Sequence, residues 1–254
     1  MLRKKIISKS VSVGSWITLA HPAIAEIMAC SGFDWLAVDL EHSVISYKEA
    51  EELIHVIKAN NIIPLVRLTS NDPDQIKKMM DAGAHGIIVP MVKTPEDAIK
   101  AILSAKYPPL GRRGVGLARA QGYGAKFKEY INWQENFLSV IVQIEHIDAV
   151  DNLEEILKVE GVDGFMVGPY DLSGSMGIPG EFANEEFIKV LNKINMIASK
   201  VGKPKGIHII EPNLDELACR INEGYSFIAY SIDTRMIDNA CQKAMKKLEE
   251  ISKS

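Results

Sequence analysis

The chain has 254 residues, with 29 Lys or Arg against 33 Asp or Glu, a formal net charge of −4. Apolar residues make up 47% and charged residues 24%, the balance of a soluble globular protein. No apolar run nears the roughly 20 residues of a membrane span, no basic block points to nucleic acid, and the basic start Arg3-Lys4-Lys5 runs into Ser8, Ser10, Ser12 and Gly14, a poor signal-peptide core.

Short apolar runs alternate with longer amphipathic ones along the whole chain. The runs are Val13 to Leu19, Trp35 to Leu40, Ile62 to Leu68, Gly86 to Val92, Val140 to Ile144, Gly164 to Val167, Gly206 to Ile210 and Phe227 to Ile232. Helical patterns follow each in turn. The first is opened by Pro22, the second covers Tyr47 to Ala59, and the third is opened by Asn71-Asp72-Pro73 and stopped by Gly83. Thr94-Pro95-Glu96 opens the fourth. The others end at Val159, cover Asn184 to Val201 and Pro212 to Asn222, and close with Thr234 to Ile251. A Gly-rich loop from Pro108 to Gly124 interrupts the rhythm, and loops of that length are commonly functional. Eight strand–helix units with continuously apolar strands predict an α/β fold, a single TIM (β/α)8 barrel, which typically takes about 250 residues. One domain over 1–254 is expected.

In such a barrel the active site lies at the C-terminal strand ends. Polar residues gather there: Asp39, Glu41 and His42 after the second strand, Arg67 after the third, and Gln143, Glu145 and His146 after the fifth. Gly168 to Ser173 follows the sixth strand, His208 and Glu211 the seventh, and Asp233 the eighth. Each alone reads as a solvated loop residue. Together they converge on one mouth. Glu145 and Asp171 come from neighbouring strands, and two carboxylates without Cys or an HxxxH pair suit a hard cation held by oxygen. His42, close after Asp39, suits a general base, with a turn histidine as the alternative. Arg67 suits a developing enolate or a carboxylate, with a structural salt bridge as the alternative. The sixth strand offers no Schiff-base lysine, and the loops after strands seven and eight lack a glycine cradle for phosphate. Cys30, Cys219 and Cys241 form no CxxC pair, so a reducing cytoplasm is expected.

The chain resembles the HpcH/HpaI-type class II, metal-dependent pyruvate aldolases, those of the 2,4-dihydroxyhept-2-ene-1,7-dioate and 2-dehydro-3-deoxyglucarate aldolase type. The likeness runs through Gly14-Ser15-Trp16, Gly32-Phe33-Asp34-Trp35, Asp39-Leu40-Glu41-His42, Pro64-Leu65-Val66-Arg67, Asp81-Ala82-Gly83-Ala84 and Gln143-Ile144-Glu145. Gly168-Pro169-Tyr170-Asp171-Leu172-Ser173 is its most specific block. The resemblance implies Glu145 and Asp171 as ligands of a divalent metal ion (Mg2+, Mn2+ or Co2+), with Gln143 beside them. It implies that the Tyr170 and Asp171 amides take the carboxylate of pyruvate and that Arg67 stabilises its enolate. His42, oriented by Asp39, would be the acid–base residue. Trp16 would line the pocket, and Asp81 would reach a neighbouring subunit's site. A homo-hexamer, a trimer of dimers with the last helix exchanged, is also implied. The reaction implied is reversible cleavage of a 4-hydroxy-2-oxoacid, the small-molecule substrate, to pyruvate and an aldehyde. The alternatives are a CoA-ester lyase of the citrate lyase β or malyl-CoA lyase type, a decarboxylase on the same enolate, and a non-catalytic ligand-binding barrel. Tyr170 and His146 stand where smaller residues are expected, and His208 has no assigned role; either histidine touches the distal part of the substrate or simply packs. Arg113 and Arg119 are expected to order the long loop, with Arg112 solvated.

Overall fold

The computed structural model describes residues 2–253. Met1 and Ser254, which the expected domain includes, lie outside the described residues. Eight parallel strands close into a barrel in sequence order. They are β1 (Ser12–Ile17), β2 (Trp35–Asp39), β3 (Ile63–Arg67), β4 (Gly86–Val89), β5 (Ser139–Ile144), β6 (Gly164–Val167), β7 (Lys205–Ile209) and β8 (Tyr225–Ile232). The helices are α1 (Leu2–Ile7), α2 (Pro22–Cys30), α3 (Tyr47–Ala59), α4 (Pro73–Ala82), α5 (Pro95–Ala105) and α6 (Phe127–Phe137). They continue with α7 (Ile147–Asp151), α8 (Leu153–Lys158), α9 (Pro169–Ser175), α10 (Glu185–Val201), α11 (Leu214–Asn222) and α12 (Asp233–Lys253). The expected barrel is therefore the observed one.

Local signals account for most boundaries. Prolines occupy the first turn of α2, α4, α5 and α9, where a missing N–H costs nothing. Ser46 and Glu49 form a capping box on α3, and Thr94 and Asp97 another on α5. Gly83 ends α4 in the left-handed region at φ 105°, which only glycine adopts without cost.

Among the helices beyond one per strand, three shape the mouths and the long loop. α1 closes the N-terminal mouth by burying Leu2 and Ile6 against Trp35, Ile141 and Phe227 inside the barrel. Burying each such side chain stabilises by about 1.5–3 kcal/mol. Arg3 pairs with Asp163 at 2.8 Å, and Lys5 pairs with Asp34. α6 follows the long loop and stacks Tyr130 on Trp133 at 5.3 Å. Arg113 is buried in that loop, donating to the Ala105 carbonyl and the Tyr130 hydroxyl, both at 2.9 Å. Arg119 donates to the Ala82 carbonyl at 2.8 Å, while Arg112 is exposed. The arginines thus divide as expected between loop ordering and solvent. α9 begins directly after β6 and brings Asp171 to the C-terminal mouth.

Candidate active site

A cavity of about 540 Å³ opens at the C-terminal ends of the strands. Its wall includes Trp16, Asp39, His42, Arg67, Gln143, Tyr170, Asp171 and His208. Most of the residues singled out from sequence therefore meet in one place, because every strand of a closed parallel barrel ends at the same mouth. Arg67 is the one Lys or Arg in that lining among the described residues.

Strand register sets the pairings. Asp39 and Arg67 are direct partners across β2 and β3. Arg67 Nε donates to Asp39 Oδ1 at 2.8 Å and Nη2 to Oδ2 at 2.6 Å, and both side chains are buried. This bidentate fork fixes the guanidinium plane. The cation also lies 4.3 Å from the Trp16 ring centroid. Burial raises the Asp39 carboxyl, but the hydrogen bonds and charge of Arg67 outweigh it and leave the group below its ordinary range.

This pairing corrects one expectation. Asp39 does not hold the His42 imidazole. Its Oδ1 accepts the backbone N–H groups of Glu41 at 3.0 Å and His42 at 3.4 Å, while both carboxylate oxygens face Arg67. A strand partner at ladder distance outcompetes a neighbour in sequence. The carboxylate beside the His42 ring is Glu41, with Oε2 3.8 Å from Nε2, and the ring is more than half exposed.

Glu145 follows β5 as Gly168 follows β6, and the preceding residues Ile144 and Val167 are register partners. Glu145 Oε1 accepts the Met91 N–H at 2.7 Å, and Oε2 accepts from the Gln143 amide. A methyl group on Gly168 would sit 2.7 Å from Glu145 Oε2, so the bare glycine lets the two loops approach. Met91 presents its N–H from a strained backbone at φ 53°. Burial pushes the Glu145 carboxyl up, opposed by the Met91 and Gln143 hydrogen bonds and reinforced by the charge of Asp171.

Sequence reasoning gave Glu41 and Met91 no individual role. Glu41 is 3.4 Å from Arg67 Nε, yet its buried Oε2 makes no hydrogen bond. Burial raises its carboxyl to about 8, against the pull of Arg67 and with the help of Glu145, Asp39 and Asp171. Its position within Asp39-Leu40-Glu41-His42 was the available signal. Met91 acts through its backbone, which no side-chain motif records.

Four carboxylates thus converge around Arg67. A crowded, partly dehydrated set of oxygens with an unmatched amide oxygen at Gln143 fits a hard divalent cation. The charge of Asp171, which lines the cavity, acts on both Glu145 and Glu41. Among the described residues no group of three or more His, Cys, Asp or Glu side chains is arranged to hold a metal ion. Two carboxylates with remaining positions for water and substrate accord with that.

The other candidates are positioned as follows. Asp81 lies outside the cavity, 3.9 Å from Arg113 Nε, with its buried Oδ1 unmatched. His146 caps α7, accepting the Asp148 N–H at 3.2 Å. Asp233 accepts the N–H groups of Thr18 and Leu19 and the Thr18 hydroxyl, and so ties the loop after β1 to the start of α12. Tyr170 is 54% exposed at the rim, edge-on to Phe182 at 5.0 Å.

The HpcH/HpaI aldolase/citrate lyase family model matches residues 12–240. The chain belongs to this family. It is an enzyme of the aldolase class, a carbon–carbon lyase. The HpcH/HpaI chain is 38% identical over 229 residues to the hydroxypyruvate/pyruvate aldolase of Sagittula stellata, covering 90% of this chain and 89% of that one. It is 34% identical over 233 residues to the 5-keto-4-deoxy-D-glucarate aldolase of Klebsiella pneumoniae, covering 92% and 90%. The HpcH/HpaI aldolase structure from Desulfitobacterium hafniense superposes with a TM-score of 0.90 at 29% identity, over 98% of this chain and 97% of that one. The citrate lyase beta subunit of M. tuberculosis, at 12% identity and a TM-score of 0.60, shares the fold alone.

Proposed function

We propose that the protein cleaves a 4-hydroxy-2-oxoacid reversibly to pyruvate and an aldehyde, with a divalent cation (Mg2+, Mn2+ or Co2+) held by Glu145 and Asp171. One observation carries the reading: carboxylates crowd a single arginine, where the charges of Glu145 and Asp171 push the Glu41 carboxyl up and that of Asp171 pushes the Glu145 carboxyl up. A bound cation would relieve that repulsion and would act as a Lewis acid toward the 2-oxo group. Class II aldolases of this family are metal-dependent in general.

The chain's own groups complete the chemistry. Arg67 commits Nε and Nη2 to Asp39, which leaves Nη1 to stabilise the enolate oxygen as the C3–C4 bond breaks. Asp39 positions Arg67 and, through its turn bonds, the backbone of His42. The N–H groups of Tyr170 and Asp171 lie in the first turn of α9, ahead of the first helical bond from Leu172 N–H to Gly168 O at 3.0 Å, and are free to bind the substrate carboxylate. Gln143 steadies Glu145. His42, exposed beside Glu41, takes the 4-hydroxyl proton. Trp16 forms the wall under Arg67.

The same reading includes a homo-hexamer, a trimer of dimers in which α12 is exchanged. Met245 and Leu248 on α12 are each 57% exposed, and α11 buries none of its residues in the single chain. Asp81 would act at a neighbouring subunit's site. A cytoplasmic setting fits three cysteines that form no disulfide. No described helix is long and apolar enough to cross a membrane.

The test is pyruvate release from a panel of 4-hydroxy-2-oxoacids in a lactate dehydrogenase-coupled assay, with EDTA and with Mg2+ or Mn2+ added back. Pyruvate that disappears with EDTA and returns with metal is the expected result. Absence of pyruvate from every substrate, in protein shown to bind metal, would overturn it.

A further inference from the structure

His208 is the residue at the mouth that neither the fold nor the proposed chemistry uses. It sits at the end of β7, and its ring lines the cavity. Its Nε2 is buried and makes no hydrogen bond. The ring stands edge-on to Trp16 with centroids 5.6 Å apart. The Trp16 indole N–H is likewise buried without a partner. The other face of this small group is Arg67, 4.3 Å from the Trp16 ring centroid.

Burial pushes the His208 imidazole down to about 3, reinforced by the charge of Arg67 and only partly opposed by a hydrogen bond to the Ser231 backbone. A hydrogen bond that raises basicity is one the ring donates, so the neutral ring spends its N–H on Ser231. Ser231 is itself held, since its carbonyl accepts the Ser15 hydroxyl at 3.1 Å and its own hydroxyl donates to Ile210 O at 3.0 Å. A neutral ring that donates to the Ser231 backbone keeps its lone pair on the buried, unmatched Nε2. An unmatched acceptor and an unmatched donor therefore stand on adjacent rings beside the arginine.

We propose that His208, with Trp16, recognises a hydroxyl group that the substrate carries next to its reacting carbons. A hydroxyl donates to the imidazole and accepts from the indole. A methyl group satisfies neither. A carboxylate would meet the imidazole lone pair and be repelled. Buried polar groups left unpaired discriminate far more strongly than a missing methylene does. The inference rests on the aldolase reading and deepens it. The hydroxyl belongs either to the 2-oxoacid half or to the aldehyde half, and the two arms of the test separate them.

In one arm, hydroxypyruvate and pyruvate are compared as the 2-oxoacid with a common aldehyde. In the other, glycolaldehyde and acetaldehyde are compared with a common 2-oxoacid. The protein is the metal-loaded full chain, as wild type, His208→Leu and His208→Gln. The wild type is expected to prefer the hydroxylated member of at least one pair by about tenfold or more in kcat/KM. His208→Leu should bring that ratio close to one, and His208→Gln, which keeps an acceptor, should restore part of it. Dissociation constants for hydroxypyruvate and pyruvate, measured by calorimetry, give a readout independent of turnover. Equal use of both members of both pairs by the wild type would overturn the inference while leaving the aldolase reading intact. So would a ratio that His208→Leu leaves unchanged. If no pair turns over, the aldolase reading fails, and equal binding of the two oxoacids would then overturn this inference as well.

Discussion

The two mouths of the barrel are built from the same strands and treat charge in opposite ways. At the N-terminal mouth the buried Asp163 and the partly buried Asp34 are both matched. Asp163 takes Arg3 and the Val140 N–H at 2.9 Å, and Asp34 takes Lys5 and the Val13 N–H at 3.0 Å. Leu2 and Ile6 seal that end. At the C-terminal mouth Asp39, Glu41, Glu145 and Asp171 crowd one arginine, and Glu41, Gln143, Trp16 and His208 all keep unmatched polar atoms. Neutral polar atoms go unmatched at both ends, Ser12 Oγ, Trp35 Nε1 and Ser139 Oγ among them at the strand starts, but crowded carboxylate charge is confined to the C-terminal mouth, where it serves chemistry.

Arg67→Ala should break the contrast most severely. It removes the enolate donor and leaves Asp39 buried without its cation. Turnover should fall by about 10²–10³-fold, as for loss of an oxyanion donor. Stability should fall by about 3–5 kcal/mol. Steady-state kinetics and denaturant unfolding measure both. Gly168→Ala places its methyl 2.7 Å from Glu145 Oε2. The expected cost is about 1–3 kcal/mol of strain, together with weaker metal affinity seen by titration.

The opposite mouth supplies the control. Arg3→Ala should lower stability by about 1.5–3 kcal/mol, the worth of a hydrogen bond between charged groups, and leave kcat/KM unchanged. If it altered kcat/KM, the two ends would not be separate.

The last expectation is a pH dependence. Glu41 is raised to about 8 in the folded chain from an ordinary value of 4.5. The folded state therefore binds the extra proton between those limits, and metal-free stability falls as pH rises through that window. Glu41→Gln should flatten this slope. Unfolding at pH 5 and pH 9 shows it, and equal slopes in both proteins would remove Glu41 from the cluster.

Much of this was legible in sequence, for identifiable reasons. Strands buried on both faces show as plain apolar runs, so Trp35 to Leu40 and Val140 to Ile144 announced themselves. α6 did not, because it starts at Phe127 with no side-chain cap from Lys126 and follows a Gly-rich loop. α1 is only six residues long and carries three basic side chains. At the site, residues that end strands were found. Pairings were not, because Asp39 meets Arg67 through strand register across 28 positions. Contributions made by backbone, such as the Met91 N–H, leave no mark on side-chain patterns.

The most direct test of the central claim is Mn2+ binding to the metal-free protein, followed by calorimetry. One ion per chain is expected, lost in both Glu145→Gln and Asp171→Asn and retained in Arg3→Ala. Binding that survives both carboxylate substitutions, or none in the wild type, would contradict it.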